Sequence, residues 1–278
     1  MNPPDRREPT LARLLTAGLR LLPRFVIIGA QRCGTTSLYN NLVKHPCVAP
    51  AFRKEVHFFD HNFEKGNRWY RAHFPSLLQK CYAQCVRKRG LVSGEASPHY
   101  LFHPLAPERM ARLLPQVKLI ALLRNPIDRA FSHYRMKVKK GFETLSFEDA
   151  LNAEARRLNA EVEPATRGGQ TTDSNRRHFS YLLRGIYVDQ LKVWRSFFDE
   201  SRMLILRSET FLADPAGVMR KVVGFLELPR WEPRDHVNFH VTGYAEMDRV
   251  TRSRLIEFFR GHNQRLADYV GLDFEWDR

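Results

Sequence analysis

The chain has 278 residues, 43% of them hydrophobic, enough for one large domain with a substantial core. With 45 Lys and Arg against 30 Asp and Glu the net charge is +15, so partners are expected among anions: nucleic acid, an acidic membrane surface, a sulfated or carboxylated glycan, or a nucleotide. Four cysteines are too few for a disulfide framework, and no run approaches the roughly 20 apolar residues of a membrane-spanning helix.

Residues 1–10 are polar and Pro-rich and are expected to be disordered. Residues 11–22 are apolar but broken by Arg13 and Arg20, closed by Pro23, and lack a small-residue cleavage site. They read as a short amphipathic helix that packs on the domain or touches a membrane surface, not as a signal peptide. Residues 25–28, Phe-Val-Ile-Ile, read as a buried strand, and residues 35–44 as the helix that follows it. Between them, Gly29-x4-Gly34-Thr35-Thr36 has the skeleton of a phosphate-binding loop, in which backbone N–H groups and a helix N-terminus cradle an anion. The lysine expected after the second glycine of a nucleoside triphosphatase is Thr35, and the nearest cation inside the loop is Arg32. The loop therefore suits a phosphate-like group other than the Mg-bound γ-phosphate of ATP. An ordinary tight turn is the plainer alternative. Cys33 reads as a small packing residue.

Residues 46–50 read as a break. Residues 53–60, Arg-Lys-Glu-Val-His-Phe-Phe-Asp, alternate as a half-buried strand would, which puts Glu55 and His57 on one face. Helices are expected over 67–74, 75–86 and 107–114, with a short strand over 90–95 and a buried strand over 117–123. That strand ends at Arg124-Asn125-Pro126, and a helix starting near Pro126 carries Arg129, Ser132 and His133. Further helices are expected over 143–158, where Ser146-x-x-Asp149 forms a capping-box variant, over 187–198, and over 216–226, capped by Asp214-Pro215. Residues 163–177 read as a surface loop or lid, 203–206 as a strand, 231–248 as irregular, and 250–270 as a closing helix with an apolar stripe of Leu255, Ile256, Phe259 and Leu266.

The alternation of strands and helices predicts an α/β fold, a three-layer sandwich around a central parallel sheet, with residues 24–278 as one domain behind the segment 1–23. Ligands of such sheets gather beyond the carboxyl ends of the strands. The loop 29–36 and Arg124 both end strands and should line one crevice. Arg32 offers a cation to one phosphate-like group, Arg124 and Ser132 can hold a second anion, and Glu55 and His57 offer a general base. Each also has a structural reading: Arg124 paired with a carboxylate, Glu55 solvated, His57 a satisfied core histidine. Cys81-x3-Cys85 lacks a partner pair at zinc spacing, so no metal is expected.

Residues 29–38, Gly-Ala-Gln-Arg-Cys-Gly-Thr-Thr-Ser-Leu, resemble the 5′-phosphosulfate loop of the sulfotransferases. Residues 123–134, Leu-Arg-Asn-Pro-Ile-Asp-Arg-Ala-Phe-Ser-His-Tyr, resemble their 3′-phosphate-binding segment. Lys54-Glu55-Val56-His57-Phe58-Phe59-Asp60 is similar to the segment with the catalytic glutamate in the heparan sulfate glucosaminyl 3-O-sulfotransferase branch, and Phe258-Phe259-Arg260-x-His262-Asn263 and Asp273-Phe274-Glu275-Trp276 are similar to that branch too. The resemblance covers about residues 24–276.

It implies transfer of a sulfuryl group from 3′-phosphoadenosine 5′-phosphosulfate (PAPS) to a hydroxyl or amine of a carbohydrate or other small acceptor, without a metal. Arg32, Cys33, Gly34, Thr35, Thr36 and Ser37 would hold the phosphosulfate, Arg124 and Ser132 the 3′-phosphate, and Glu55 would take the acceptor proton with His57 as helper. The chain departs from the branch at Arg32, where a lysine is usual, and at Ala96, where a functional lysine is expected. In the late cofactor loop Thr242-Gly243-Tyr244 replaces Lys-Gly-Arg, so Gly243 and Tyr244 would face the cofactor and acceptor specificity does not transfer. The resemblance fits a bacterial-type cytoplasmic member acting on a glycan or glycoconjugate. A P-loop kinase and a non-catalytic polyanion binder remain the alternatives at this level.

Overall fold

The structure is a computed structural model that describes residues 8–159, 174–231 and 247–276. In chain order the elements are α1 (Leu11–Leu15), β1 (Phe25–Gly29), α2 (Thr35–Leu42), β2 (Val48–Pro50), α3 (Phe58–His61), α4 (Gly66–Arg71), α5 (Leu77–Cys85), β3 (Val92–Ala96), α6 (Ala106–Leu113), β4 (Lys118–Leu123) and α7 (Pro126–Lys139). They continue with α8 (Phe147–Asn159), α9 (Ser174–Phe179), α10 (Tyr187–Arg195), β5 (Met203–Arg207), α11 (Ser208–Ala213), α12 (Pro215–Phe225) and α13 (Arg249–Val270). The chain forms two compact units, Met1–Leu123 with Leu191–His240 and Arg124–Gln190 with Val241–Arg278.

The first unit is built on a five-stranded sheet of order β2-β3-β1-β4-β5, parallel throughout and flanked by helices, as the alternation predicts. Its central strand β1 pairs Phe25 with Gly94 on one side and with Lys118 on the other, and all five of its residues are buried. Such strands read as unbroken apolar runs because both faces are covered. The sheet also holds a strand that the sequence reading took for a break. Val48–Pro50 pairs with β3 at the edge of the sheet, where a proline's missing N–H costs no ladder bond.

Residues 53–57 are not a strand, contrary to their alternation. They run as irregular chain into α3. The N-terminal helix is only five residues long and packs inward through its arginine: Arg13 Nε donates to the Ala72 carbonyl at 2.7 Å and Nη2 to that of Phe74 at 3.1 Å. Its apolar residues Leu11 and Leu15 point outward, 70% and 67% exposed.

The second unit gathers its core around α7, α8 and α13, where Ile127, Ala130, Phe147, Leu151, Leu255 and Phe259 pack together. The expected caps form: the Asp149 N–H donates to Ser146 Oγ at 3.1 Å and, in the first unit, the Gly217 N–H to Asp214 Oδ1 at 2.8 Å. Asn125, not read as a cap, also accepts from the Ile127 N–H at 2.9 Å, with Pro126 in the first turn of α7. The stretch expected as a loop over 163–177 is helical where it is described, since α9 starts at Ser174. Residues 160–173 and 232–246, the latter including Gly243 and Tyr244, lie outside the described residues.

Candidate active site

The turn after β1 is shaped for an anion by its backbone. At Gly29 a Cβ atom would meet Leu101 Cβ at 2.5 Å, so only glycine lets the strand end this close to its neighbour. Gly29→Ala should destabilise the fold by about 1–3 kcal/mol, read as a lower Tm; an unchanged Tm would show that Leu101 yields at no cost. Arg32 at φ +73° and Gly34 at φ +92° both take the left-handed conformation, the backbone from which anion-binding nests are built. Gly34 is also the N-cap of α2 and brings no side chain to cover the first N–H groups of the helix. Cys33 is buried, and its carbonyl accepts from Ser208 Oγ at 2.9 Å, which ties the loop to the start of α11.

The segment from Lys54 to Phe58 lies beside this loop without being part of the sheet, because side chains satisfy its backbone. Glu95 Oε2 accepts from the Val56 N–H at 3.3 Å, Ser97 Oγ from the His57 N–H at 3.1 Å, and the Tyr100 hydroxyl from the Phe58 N–H at 2.8 Å. In return Asn62 Nδ2 donates to the His57 carbonyl at 2.8 Å and Arg53 Nε to that of Glu55 at 2.8 Å. Glu95 is the hub beneath, completely buried, and also accepts from Ser97 Oγ at 2.6 Å and the Tyr70 hydroxyl at 2.8 Å. Burial outweighs those hydrogen bonds and raises its carboxyl to about 7.

On this support Lys54, Glu55, His57 and Asp60 form a chain of charges. Lys54 Nζ donates to Thr36 Oγ1 in the anion loop at 2.6 Å and contacts Glu55 Oε1 at 2.8 Å. The other carboxylate oxygen of Glu55 accepts from His57 Nε2 at 3.3 Å, and His57 Nδ1 donates to Asp60 Oδ2 at 2.8 Å. Both ring nitrogens of His57 thus face carboxylates, the arrangement of an imidazolium. Burial alone would lower the His57 pKa, but Asp60 and Glu55 raise it to about 10. Burial would raise Glu55, and the His57 hydrogen bond with the Lys54 charge holds it at about 2. Asp60 is kept well below the usual carboxylate range, against its burial, by His57 and by His99, whose Nδ1 donates to Oδ2 at 3.1 Å. His57, Asp60 and His61 bring possible ligand atoms within 4.8 Å of one another; the two imidazole N–H bonds into Asp60 Oδ2 make this a hydrogen-bond hub.

In the second unit, Arg124 directly follows β4, and its carbonyl accepts from the Tyr187 hydroxyl at 2.9 Å. Ser132 is buried on α7. A cavity of about 690 Å³ lies at the amino ends of β1 and β4, lined by Arg24, Lys118 and Glu227 among others, away from the loop. None of the residues singled out in the sequence as site candidates lines it.

The family model described as a sulfotransferase domain matches residues 22–264. The chain belongs to the sulfotransferase family. It is 30% identical to human heparan sulfate glucosamine 3-O-sulfotransferase 3A1 over 96% of its own length and 66% of that protein's. Human heparan sulfate glucosamine 3-O-sulfotransferase 3B1 is 29% identical over 99% of this chain and 70% of its own length. This sulfotransferase thus spans about two thirds of the relatives it matches. A crystal structure of a sulfotransferase from Alicyclobacillus acidocaldarius superposes with a TM-score of 0.71 at 30% identity, covering 93% of this chain and all of that one.

Of the residues singled out in the sequence, the sulfotransferase brings Thr36, Glu55 and His57 together through Lys54 in its first unit. Lys54, Asp60 and Glu95 were not singled out. The spacing Lys54-Glu55-x-His57-x2-Asp60 carried a signal for the first two. Nothing local marks Glu95, whose partners Val56, Tyr70 and Tyr100 come together only in the fold. Among the described residues no helix is long and apolar enough to cross a membrane.

Proposed function

We propose that this sulfotransferase moves the sulfuryl group of PAPS to a hydroxyl, or an amine, of a carbohydrate-like acceptor, with Glu55 as general base. The observation that carries it is the Lys54 ammonium, within 2.8 Å of both the anion loop's Thr36 hydroxyl and the Glu55 carboxylate, which joins a phosphate-shaped site to a proton acceptor through one cation. The loop suits the donor in this reading: the left-handed turn at Gly34 and the uncapped start of α2 offer N–H groups to a sulfonated phosphate, with Arg32 and Lys54 as its cations.

As the acceptor oxygen bonds to sulfur, the sulfur–oxygen bond to the phosphate breaks and Glu55 takes the acceptor's proton. Arg32, Lys54 and the first N–H groups of α2 neutralise the charge left on the departing phosphate. At neutral pH Glu55 is already ionised, and the same two neighbours that acidify it, Lys54 and His57, orient it. When the Lys54 charge is drawn towards the leaving phosphate, Glu55 is released from one of the two cations that acidify it and becomes a better base at the moment of transfer. His57 positions the carboxylate from the other side and Asp60 keeps His57 charged. Arg124 and Ser132 take the 3′-phosphate in this proposal, by their place in the resembling segment.

Labelled PAPS offered with a panel of sulfated and carboxylated oligosaccharides tests the proposal. Label on a glycan, independent of added ATP, is the expected result. ATP- and Mg-dependent phosphate transfer with no sulfate transfer would overturn it in favour of a kinase.

A further inference from the structure

Two segments of the first unit carry apolar side chains that the core does not use. Leu11, Leu15 and Leu19 recur at every fourth position along α1 and the 3-10 turn behind it, Ala17–Leu19. Leu78, Tyr82 and Val86 recur in the same way along α5 and its C-cap. A stripe at this spacing ordinarily marks the face of a helix that meets the core. Here all six side chains are 54–79% exposed.

The arginines are the side chains turned inward. Arg13 holds the carbonyls of Ala72 and Phe74, and Arg20 Nη1 donates to that of Phe74 at 2.9 Å. Arg71 answers from α4, with Nε to the Ala17 carbonyl at 3.1 Å and Nη2 to that of Arg20 at 2.7 Å. These bonds tie the N-terminal segment down by its polar side and leave its leucines outside. In α5 only Ala83 is buried, and the start of the helix is fixed by a capping box between Ser76 and Gln79. The two segments are neighbours, since the Leu21 N–H donates to the Pro75 carbonyl at 2.9 Å and Arg20 bridges to Ser76. Their charge is one-sided. Neither residues 9–24 nor residues 66–90 contain an Asp or Glu, whereas Lys80, Arg87, Lys88 and Arg89 lie on or just behind α5. The Arg87 guanidinium stands 5.5 Å from the centre of the Tyr82 ring, which puts a cation directly beside the apolar stripe.

We propose that α1 and α5 form a docking face for the surface of an acidic lipid bilayer. Leu11, Leu15, Leu78 and Tyr82 enter the headgroup layer, and Arg87 and Lys88 meet the anionic lipid heads. Projecting apolar side chains with cations at their flank and no acids among them are what such a surface takes up. A second copy of this chain suits the face less well, because a two-fold contact through it sets Lys80, Arg87 and Lys88 against their own copies. The inference goes beyond the proposed function and is read without turnover, so neither stands or falls with the other.

Flotation of the intact protein with vesicles tests it, using phosphatidylcholine mixed with phosphatidylserine and phosphatidylcholine alone. Binding to the mixed vesicles that weakens as salt is raised, with little binding to the neutral ones, is the expected result. Leu15→Ser combined with Leu78→Ser should lower that binding at least about tenfold. Both side chains are exposed, so Tm and the affinity for 3′-phosphoadenosine 5′-phosphate (PAP) should stay at the wild-type values. Arg87→Gln combined with Lys88→Gln should cost about fivefold for each charge removed. Cys81 and Cys85 on α5 are exposed while Cys33 and Cys47 are buried, so a polarity-sensitive maleimide dye reports on α5 itself. Its emission should shift to the blue on the mixed vesicles. No binding to either vesicle, wild-type binding by the leucine variant, or unshifted emission from bound protein would overturn the docking face. Equal binding to the neutral vesicles would overturn its assignment to acidic lipid. A dimer that the leucine variant dissociates, in a protein that binds no vesicle, would overturn it in favour of a second copy of the chain.

Discussion

Glu55→Gln is expected to lower kcat by about 10²–10⁴-fold, the range typical of a lost general base, with PAP affinity unchanged. The amide keeps the shape of the carboxylate and an oxygen for Lys54, but it cannot accept the acceptor's proton. The anion loop is not touched, since its geometry comes from Arg32, Gly34 and the Ser208 bond to the Cys33 carbonyl. The substitution also changes acid stability in a defined direction. Glu55 sits at about 2 when folded against an ordinary 4.5, so its contribution is present above pH 4.5 and is lost as pH falls through 2. The Tm difference between wild type and variant should therefore narrow as the pH drops through that window. Steady-state kinetics beside PAP titration checks the first point; wild-type turnover in the variant would remove Glu55 from the chemistry.

Asp60→Asn should move the alkaline limb of the kcat profile downward, from near pH 10 towards 6.5. His57 stands at about 10 because Asp60 and Glu55 outweigh its burial, and the asparagine removes the larger of those two attractions. Each unit of that shift corresponds to about 1.4 kcal/mol of lost preference for the imidazolium. Once neutral, His57 retains a single N–H, which cannot serve Glu55 and residue 60 together, so Glu55 loses its orientation. The stability sign runs the same way. A raised histidine stabilises the fold fully below pH 6.5 and loses that contribution as pH rises through 10, a slope that the variant should lack. A kcat profile superimposable on the wild type's would show that the ion pair holds the loop but takes no part in turnover.

The contrast between the anion loop and its neighbour shows what a single sequence makes legible. The strand over 25–28, the glycine spacing and the helix behind it are written in adjacent residues, and the structure has them as read. The buried strand at 118–123, the half-buried edge strand at 203–207 and the caps at Ser146 and Asp214 are likewise local patterns. The stretch 53–57 alternates like a strand, yet the N–H groups of Val56, His57 and the following Phe58 bond to the side chains of Glu95, Ser97 and Tyr100, and its backbone bond to β3 is from the Ala96 N–H to the Lys54 carbonyl. Periodicity reports which side chains are buried and not where the backbone bonds go, so the shared face of Glu55 and His57 was right and the strand was not. Pro46 and Pro50 hid β2, because only its edge position makes Pro50 harmless. The bridge from Lys54 to Thr36 spans 18 residues of sequence and has no local signature.

Arg32 occupies the loop position where the family usually has lysine, and Lys54 supplies an ammonium beside the same loop. A guanidinium is a poor proton donor but a good electrostatic partner for a phosphate oxygen. In the proposed mechanism the two cations share the task of the loop lysine, from two places in the chain.

Calorimetric titration of the intact protein with PAP and, separately, with ADP is the most direct test of a site built for a phosphosulfate donor. Tight binding of PAP with much weaker binding of ADP, without added metal, is the predicted result. Equal affinity for the two nucleotides, or no binding of either, would contradict it.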